Sequence, residues 1–277
     1  MMYKKRNFFL SLLLLLTLFS YSQSLHWQLV APGVWKAIIG SPEAYSLLSA
    51  SGASPDKAAL ALLGAPTFPA ALDKSAGRIQ DGKTSLRFPL KPAEQLYGFG
   101  LQFKTVQQRG RILRLHVDHY GEEDNGRTHA PVPFYLSSEG YGVFINTARY
   151  LEVYAGTAVR RDSDERPVER NRNEDGPLWK AYPYSDAVEM LLPAAGVEVY
   201  VFAGPELMQV IQRFNLFMGG GVLPPRWGLG FMQRVKSLYS ASEVLEEANA
   251  FEERGFPLDM LGLEPGWQSR AYPGSFS

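Results

Sequence analysis

From Leu25 to about Val201 the chain alternates between short apolar runs and Gly, Pro, Asn or Asp. Val34 to Ile39, Ile112 to Val117, Pro133 to Leu136, Gly142 to Asn146 and Val197 to Phe202 are such runs. Many short strands separated by turn residues predict an antiparallel β-sandwich. No internal repeat is visible. The stretch from Ser41 to Ala71 departs from the pattern, and its Ala58 to Leu63 part reads as a short helix or a loop insertion. Arg160 to Asp175 mixes both charges with almost no apolar residue, so it cannot bury a strand face and reads as a long loop. The acidic run Glu122, Glu123 and Asp124 before Asn125-Gly126 reads as a solvated turn.

The period changes at Gly204. Leu207, Val210, Ile211, Phe214 and Phe217 follow helical spacing and predict a linking helix over 205–218, with Pro205 suited to the first helical position. Gly219, Gly220 and Gly221 end it, and Pro224 and Pro225 mark a junction. Trp227 to Gln233 then reads as a buried strand, Ser240 and Glu243 as a capping box, and Val244, Leu245, Ala248 and Phe251 as a helical stripe closed by Gly255. Leu258 to Leu263 predicts the next strand, parallel to the first across a right-handed crossover. Parallel strands need neighbours on both edges and helices on both faces, so this reads as the opening of a barrel or doubly wound domain that stops early at Ser277.

Composition narrows the setting. Hydrophobic residues make up 45% of the 277 residues, enough for a sizeable core. Lys plus Arg and Asp plus Glu number 28 each, which gives no basic surface for nucleic acid and no acidic tail. Lys4, Lys5 and Arg6 precede an apolar run from Phe8 to Phe19 and a mostly small or polar stretch from Ser20 to Ser24. That layout predicts a signal peptide over residues 1–23, because the apolar run is shorter than the ~20 residues that span a bilayer. The mature chain is therefore expected to be exported, periplasmic or extracellular, without stable membrane insertion. There is no cysteine, which excludes a lipidated N-terminal Cys and any thiolate metal site. Strand alternation separates His116 and Asp118 from His119, no standard ligand spacing links them to His129, and no metal or cofactor is expected.

Four segments in order carry a family resemblance: Tyr97 to Phe103 (YGFGLQF), Pro131 to Tyr150, Leu223 to Gln233 (LPPRWGLGFMQ) and Tyr239 to Trp267. They resemble glycoside hydrolase family 31, which holds α-glucosidases, α-xylosidases and relatives. The match runs, with gaps, from about Tyr97 to the end, and the helix 205–218 sits where the family has one. The resemblance implies a galactose-mutarotase-like β-sandwich over 24–221 and the incomplete start of a (β/α)8 catalytic barrel over 222–277. It also implies a retaining mechanism, with a nucleophile and an acid/base carboxyl ~5 Å apart. In the family both are Asp on later barrel strands, so no residue here is assigned a catalytic role, and these residues alone are expected to be inactive.

What the resemblance implies for binding is narrower. Glu264 stands at the predicted C-terminal end of the second barrel strand, where barrel sites are built and where the family usually has an Asp that holds sugar hydroxyls. Glu is one methylene longer, and with Pro265 and Gly266 it points away from plain α-glucosidase activity toward galacto-configured or N-acetylated sugars. Trp267 is a candidate aromatic wall or rim packing. Arg234, with Gln233, ends the first strand and is a candidate for substrate contact or for pairing with an acid. Asp118 and His119 lie where a sandwich loop of the family reaches over the barrel mouth. The competing readings are a non-catalytic carbohydrate-binding β-sandwich module, against which the barrel-opening segment Leu223 to Trp267 argues, and an accessory protein, which a reading frame continuing past Ser277 would exclude. In each case the partner is carbohydrate.

Overall fold

The computed structural model describes residues 22–117, 127–157, 173 and 184–264. The chain divides into two compact units, Met1–Gly220 and Gly221–Ser277. In the first, the order along the chain is β1 (Gln23–Ser24), β2 (Gln28–Ala31), β3 (Val34–Gly40), α1 (Leu47–Ser51), α2 (Lys57–Leu62), β4 (Ala76–Gln80), β5 (Lys83–Pro89) and β6 (Leu96–Gly100). There follow β7 (Arg111–Leu115), β8 (Pro131–Ser137), β9 (Tyr141–Asn146), β10 (Leu151–Thr157), β11 (Tyr184–Leu192), β12 (Gly196–Ala203) and α3 (Leu207–Phe217). The expected leader falls outside the described residues as far as residue 21, as do Glu122 to Asp124 and all of Arg160 to Asp175 except Asn173.

These strands form two six-stranded sheets, ordered β1-β4-β5-β11-β10-β7 and β2-β3-β12-β9-β8-β6. Every ladder in both is antiparallel. The two sheets are the β-sandwich that the residue pattern predicts. Leu86, Phe88, Leu113, Val153, Val188 and Met190 of the first sheet share one buried core with Ala37, Ile39, Tyr135, Val143 and Val199 of the second. The second sheet is buried on its other face too. Along β12, Val197, Val199 and Val201 enter the shared core, whereas Tyr200 and Phe202 join Phe134, Phe144, Leu60, Val210 and Phe217 in a second cluster. This explains why β9 and β12 read as near-continuous apolar runs rather than alternating ones. The cover on that second face is α3, whose Phe214 ring stacks on Phe134 with centroids 3.9 Å apart.

The helical stripe needs one correction. Val210, Arg213 and Phe217 are the buried positions of α3, and Ile211 is 40% exposed. Residues three and four apart share a helix face, and Arg213 lies on that face while Ile211 does not. The Arg213 side chain is fully buried and meets four backbone carbonyls. Nη1 donates to Ala203 O at 2.7 Å, Nη2 to Leu63 O at 2.7 Å and Gly64 O at 2.8 Å, and Nε to Pro32 O at 3.2 Å. One guanidinium thus ties α3 to the end of β12, the β2–β3 turn and the carbonyl end of α2, where the helix presents partial negative charge. Burial lowers its pKa, but an arginine remains protonated at any ordinary pH. The Ala58 to Leu63 stretch is accordingly a helix, α2, capped by Asp56 Oδ1 on the Ala59 amide at 2.9 Å.

Strand β6 carries a bulge at its end. Gly98, Phe99 and Gly100 have φ of +104°, +62° and +87° in succession, and the β6–β8 register shifts between Gly98 and Gly100. A Cβ on Gly98 would stand 2.8 Å from Phe134 O, and one on Gly100 2.0 Å from Ala130 O, so both positions need glycine. The bulge turns Phe99 inward, where it is fully buried and stacked on Tyr135 at 5.3 Å. Beneath it, the buried Glu94 carboxylate accepts hydrogen bonds from the Ser137 and Tyr141 hydroxyls and the Lys91 amide. Burial, with Glu94 alongside, pushes the Tyr141 hydroxyl far above the ordinary phenol range, so it stays a donor.

The second unit holds β13 (Met232–Arg234), α4 (Ala241–Glu253) and β14 (Met260–Gly262), with β13 and β14 parallel. The strand expected over Trp227 to Gln233 is shorter. Arg226–Leu229 forms a 3-10 turn after Pro225, and Trp227 and Phe231 are exposed rather than buried. Among the described residues, β13 has one strand neighbour, so little covers it. Likewise no helix among the described residues is long and apolar enough to cross a membrane.

The Arg213 arrangement makes a stability prediction. Arg213→Met fills the space but takes the charged donor from four backbone carbonyls, of which Ala203 O is buried and the others partly shielded, at about 1–3 kcal/mol for each buried group left unmet. The first unit should lose at least about 3 kcal/mol in urea unfolding, and Arg213→Lys, which lacks the planar fork, should recover only part of it.

Candidate functional site

Three local devices build the second unit. The first is a carboxylate tie at the start of the strands. Asp259 Oδ2 accepts the Phe231 amide at 3.0 Å, and the Asp259 and Met260 amides both donate to Phe231 O. Gly230 makes room for it, because a Cβ there would lie 2.0 Å from Asp259 Oδ2. The second is the capping box of α4: the Ser240 amide donates to Glu243 Oε2 at 2.7 Å and the Glu243 amide to Ser240 Oγ. Those Ser240 donors hold the Glu243 carboxyl below the usual carboxylate range. The third is Gly255, which ends α4 at φ +69°.

Strand alternation then sorts the side chains. β13 and β14 pair in the register Met232 with Met260, Gln233 with Leu261 and Arg234 with Gly262. Phe231 packs on Phe251 of α4, and Gln233 Nε2 donates to Glu247 Oε1 of α4 at 3.2 Å. Phe231 and Gln233 therefore face the helix. Met232, Arg234, Met260 and Gly262 belong to the opposite face, and Glu264 follows two residues beyond the end of β14. Of the two residues ending the first strand, Arg234 is placed beside Glu264 and Gln233 is turned away from it.

Arg234 and Glu264 form an ion pair through Nη2 and Oε1. The Glu264 side chain is 20% exposed and that of Arg234 67%. Val235, the residue after Arg234, is buried, and its amide donates to Gly262 O, which locks the strand ends together at this level. A cleft beside Glu264 is lined by Lys236, Ser237, Tyr239, Val244, Leu245 and Leu263. Lys236 Nζ sits 5.7 Å from the Tyr239 ring centroid. The site thus offers a shielded carboxylate, a guanidinium, an ammonium and a half-exposed aromatic wall, a set that suits a polar, hydroxyl-bearing ligand. No group of His, Cys, Asp or Glu able to hold a metal ion occurs among the described residues.

Trp267, Asp118 and His119 lie outside the described residues. His116 is described, and its ring lies 4.0 Å from that of Tyr150. Asp259 and Gly230 form a structural tie that the residue pattern does not predict. The signal is present in the PLD triplet of Pro257 to Asp259, but nothing local says that its carboxylate closes on a strand start 28 residues earlier.

Two family models match the chain. Residues 49–153 match the glycosyl hydrolase 31 N-terminal galactose mutarotase-like domain, and residues 221–276 match the glycosyl hydrolases family 31 TIM-barrel domain. An alpha-xylosidase, XylQ, of Lactiplantibacillus pentosus is 24% identical over 177 residues, 63% of this chain and 20% of the relative. An alpha-glucosidase of Bacillus thermoamyloliquefaciens is 38% identical over 68 residues, 24% of this chain and 9% of the relative. Among solved structures, a Flavobacterium johnsoniae family 31 dextranase complexed with isomaltotriose superposes with a TM-score of 0.62 at 18% identity, covering 88% of this chain and 31% of that one. The chain therefore spans about a fifth of the xylosidase and under a third of the dextranase.

The carboxylate tie can be tested by a cycle of substitutions. Gly230→Ala should push Asp259 off the Phe231 amide, a loss of about 1 kcal/mol. Trypsin cleavage after Lys236 should then speed up about fivefold, because cleavage follows the open population. In an Asp259→Ala background, Gly230→Ala should add nothing further.

Proposed function

Given that this chain belongs to glycoside hydrolase family 31, we propose that it supplies the β-sandwich and the first barrel strands of an exported, retaining α-glycoside hydrolase. The observation that carries this reading is the placement of Glu264 just past the C-terminal end of β14, ion-paired to Arg234 and shielded to 20% exposure. Barrel enzymes build their sites from such strand ends. An ionised carboxylate accepts O–H donors from sugar hydroxyls and holds the ring in place. Names of the relatives, α-xylosidase and α-glucosidase among them, support an α-linked sugar as substrate.

The division of labour follows from the chemistry. A retaining reaction needs a nucleophilic carboxylate and an acid/base carboxyl ~5 Å apart across the bond. Glu264, held by a cation, serves binding rather than proton transfer in this reading. The reacting pair is expected on later barrel strands, as the family resemblance implies. The extra methylene of Glu264 relative to Asp moves its oxygens further into the site, which supports a galacto-configured or N-acetylated sugar over a plain glucoside. A binding module alone would have no use for β13, α4 and β14, so the barrel opening favours the hydrolase over that alternative.

Two outcomes are expected. The 277 residues alone, purified free of host glycosidases, should turn over no aryl α-glycoside; measurable turnover would contradict the assignment of the reacting carboxylates. In the full-length polypeptide that carries these residues, Glu264→Gln should lower kcat/KM about ten- to a hundredfold, since a hydrogen bond to a charged group is worth about 1.5–3 kcal/mol. Glu264→Asp should shift preference toward gluco-configured substrates. Full activity in Glu264→Gln, at unchanged melting temperature, would remove Glu264 from the sugar site.

A further inference from the structure

We propose that Arg234 is a positioning residue, which acts on the sugar only by aiming the Glu264 carboxylate. This rests on the reading of Glu264 as a sugar contact. Arg234 is in register with Gly262, so Glu264 lies two residues further along the neighbouring strand. Such diagonal neighbours stand about 7–8 Å apart, beyond the reach of short side chains. The Arg234 stem passes over Gly262, where an added Cβ would sit 3.4 Å from Arg234 Cγ, and its Nη2 meets Oε1 of Glu264. An Asp at 264 would draw the carboxylate back by one methylene, so this contact would hold only if the Arg234 guanidinium followed it.

The geometry also divides the roles. Arg234 is the exposed partner at 67% and Glu264 the shielded one at 20%. Among the described residues, Glu264 has no other hydrogen-bond or ionic partner, so its second oxygen is left to accept from a ligand. A guanidinium bound at one oxygen restrains where that oxygen sits and leaves the other to a ligand. Exposed ion pairs are weak, so the expected effect on catalysis is modest.

The test is a double-substitution cycle in the full-length polypeptide, using aryl α-glycosides and melting temperature. Arg234→Gln should lower kcat/KM by about fivefold, mainly through KM, with little change in melting temperature, and Arg234→Lys should fall between it and the unsubstituted protein. In a Glu264→Ala background, where no carboxylate remains to aim, Arg234→Gln should cause no further loss. Glu264→Ser serves as a second background should Glu264→Ala melt early. Losses that multiply in the double variant would overturn the positioning role and make Arg234 an independent substrate contact. Unchanged activity in Glu264→Ala itself would instead overturn the reading of Glu264 on which this rests.

Discussion

A sheet with apolar side chains on both faces must be covered on both, and this constraint organises each unit of the chain. In the first unit it is met. The inner face of β12 and β9 packs against the opposite sheet, and the outer face against α3. Burying each of Phe134, Phe144, Phe202 and Phe217 stabilises the fold by roughly 1.5–3 kcal/mol, so the helix cannot be detached without losing several such contacts. Arg213 sets where the helix lies, because its four carbonyl acceptors belong to three different segments. In the second unit α4 covers one face of β13 and β14, and the described residues provide nothing for the other. Met232 is exposed there, and Leu263 and, on α4, Leu245 are exposed as well. A closed family 31 barrel would supply such missing neighbours through further strands, as the matching TIM-barrel family implies.

Most of the fold was legible in the sequence because its signals are local. Strand runs such as Val197 to Phe202, the capping box Ser240/Glu243 and the stop at Gly255 each declare themselves within a few residues. The parts that were not legible depend on partners distant in the chain. Arg213 looks like a polar interruption of a helical stripe until the carbonyls of Pro32, Leu63, Gly64 and Ala203 surround it. Trp227 to Phe231 has the hydrophobicity of a buried strand, yet the prolines before it and the glycines within it leave a 3-10 turn. Gly98 and Gly100 are glycines inside a strand run, a local mark of a turn or close approach, but nothing local marks the positive φ of the Phe99 between them.

The candidate site divides the same way. That Glu264 ends a strand follows from pattern, and its likeness to a sugar-holding acid follows from family resemblance. Which of Gln233 and Arg234 meets it does not follow from either, since it depends on where the register of two short strands begins. Asp259 sets that register by closing on the Phe231 amide, and Arg234 then falls beside Glu264 while Gln233 meets Glu247. A one-residue slip would exchange those two faces and dismantle the pair. The chemistry proposed at Glu264 therefore rests on a backbone contact at the far end of the same strands.

The central claim is that Glu264 holds a sugar hydroxyl while Arg234 holds Glu264. A crystal structure of the full-length polypeptide with an unreactive α-glycoside analogue tests it most directly. The expected result is a sugar hydroxyl within hydrogen-bond distance of the free Glu264 oxygen, with the guanidinium of Arg234 on the other oxygen and off the sugar. A sugar bound elsewhere, or one contacted by Arg234 with Glu264 turned away, would contradict it.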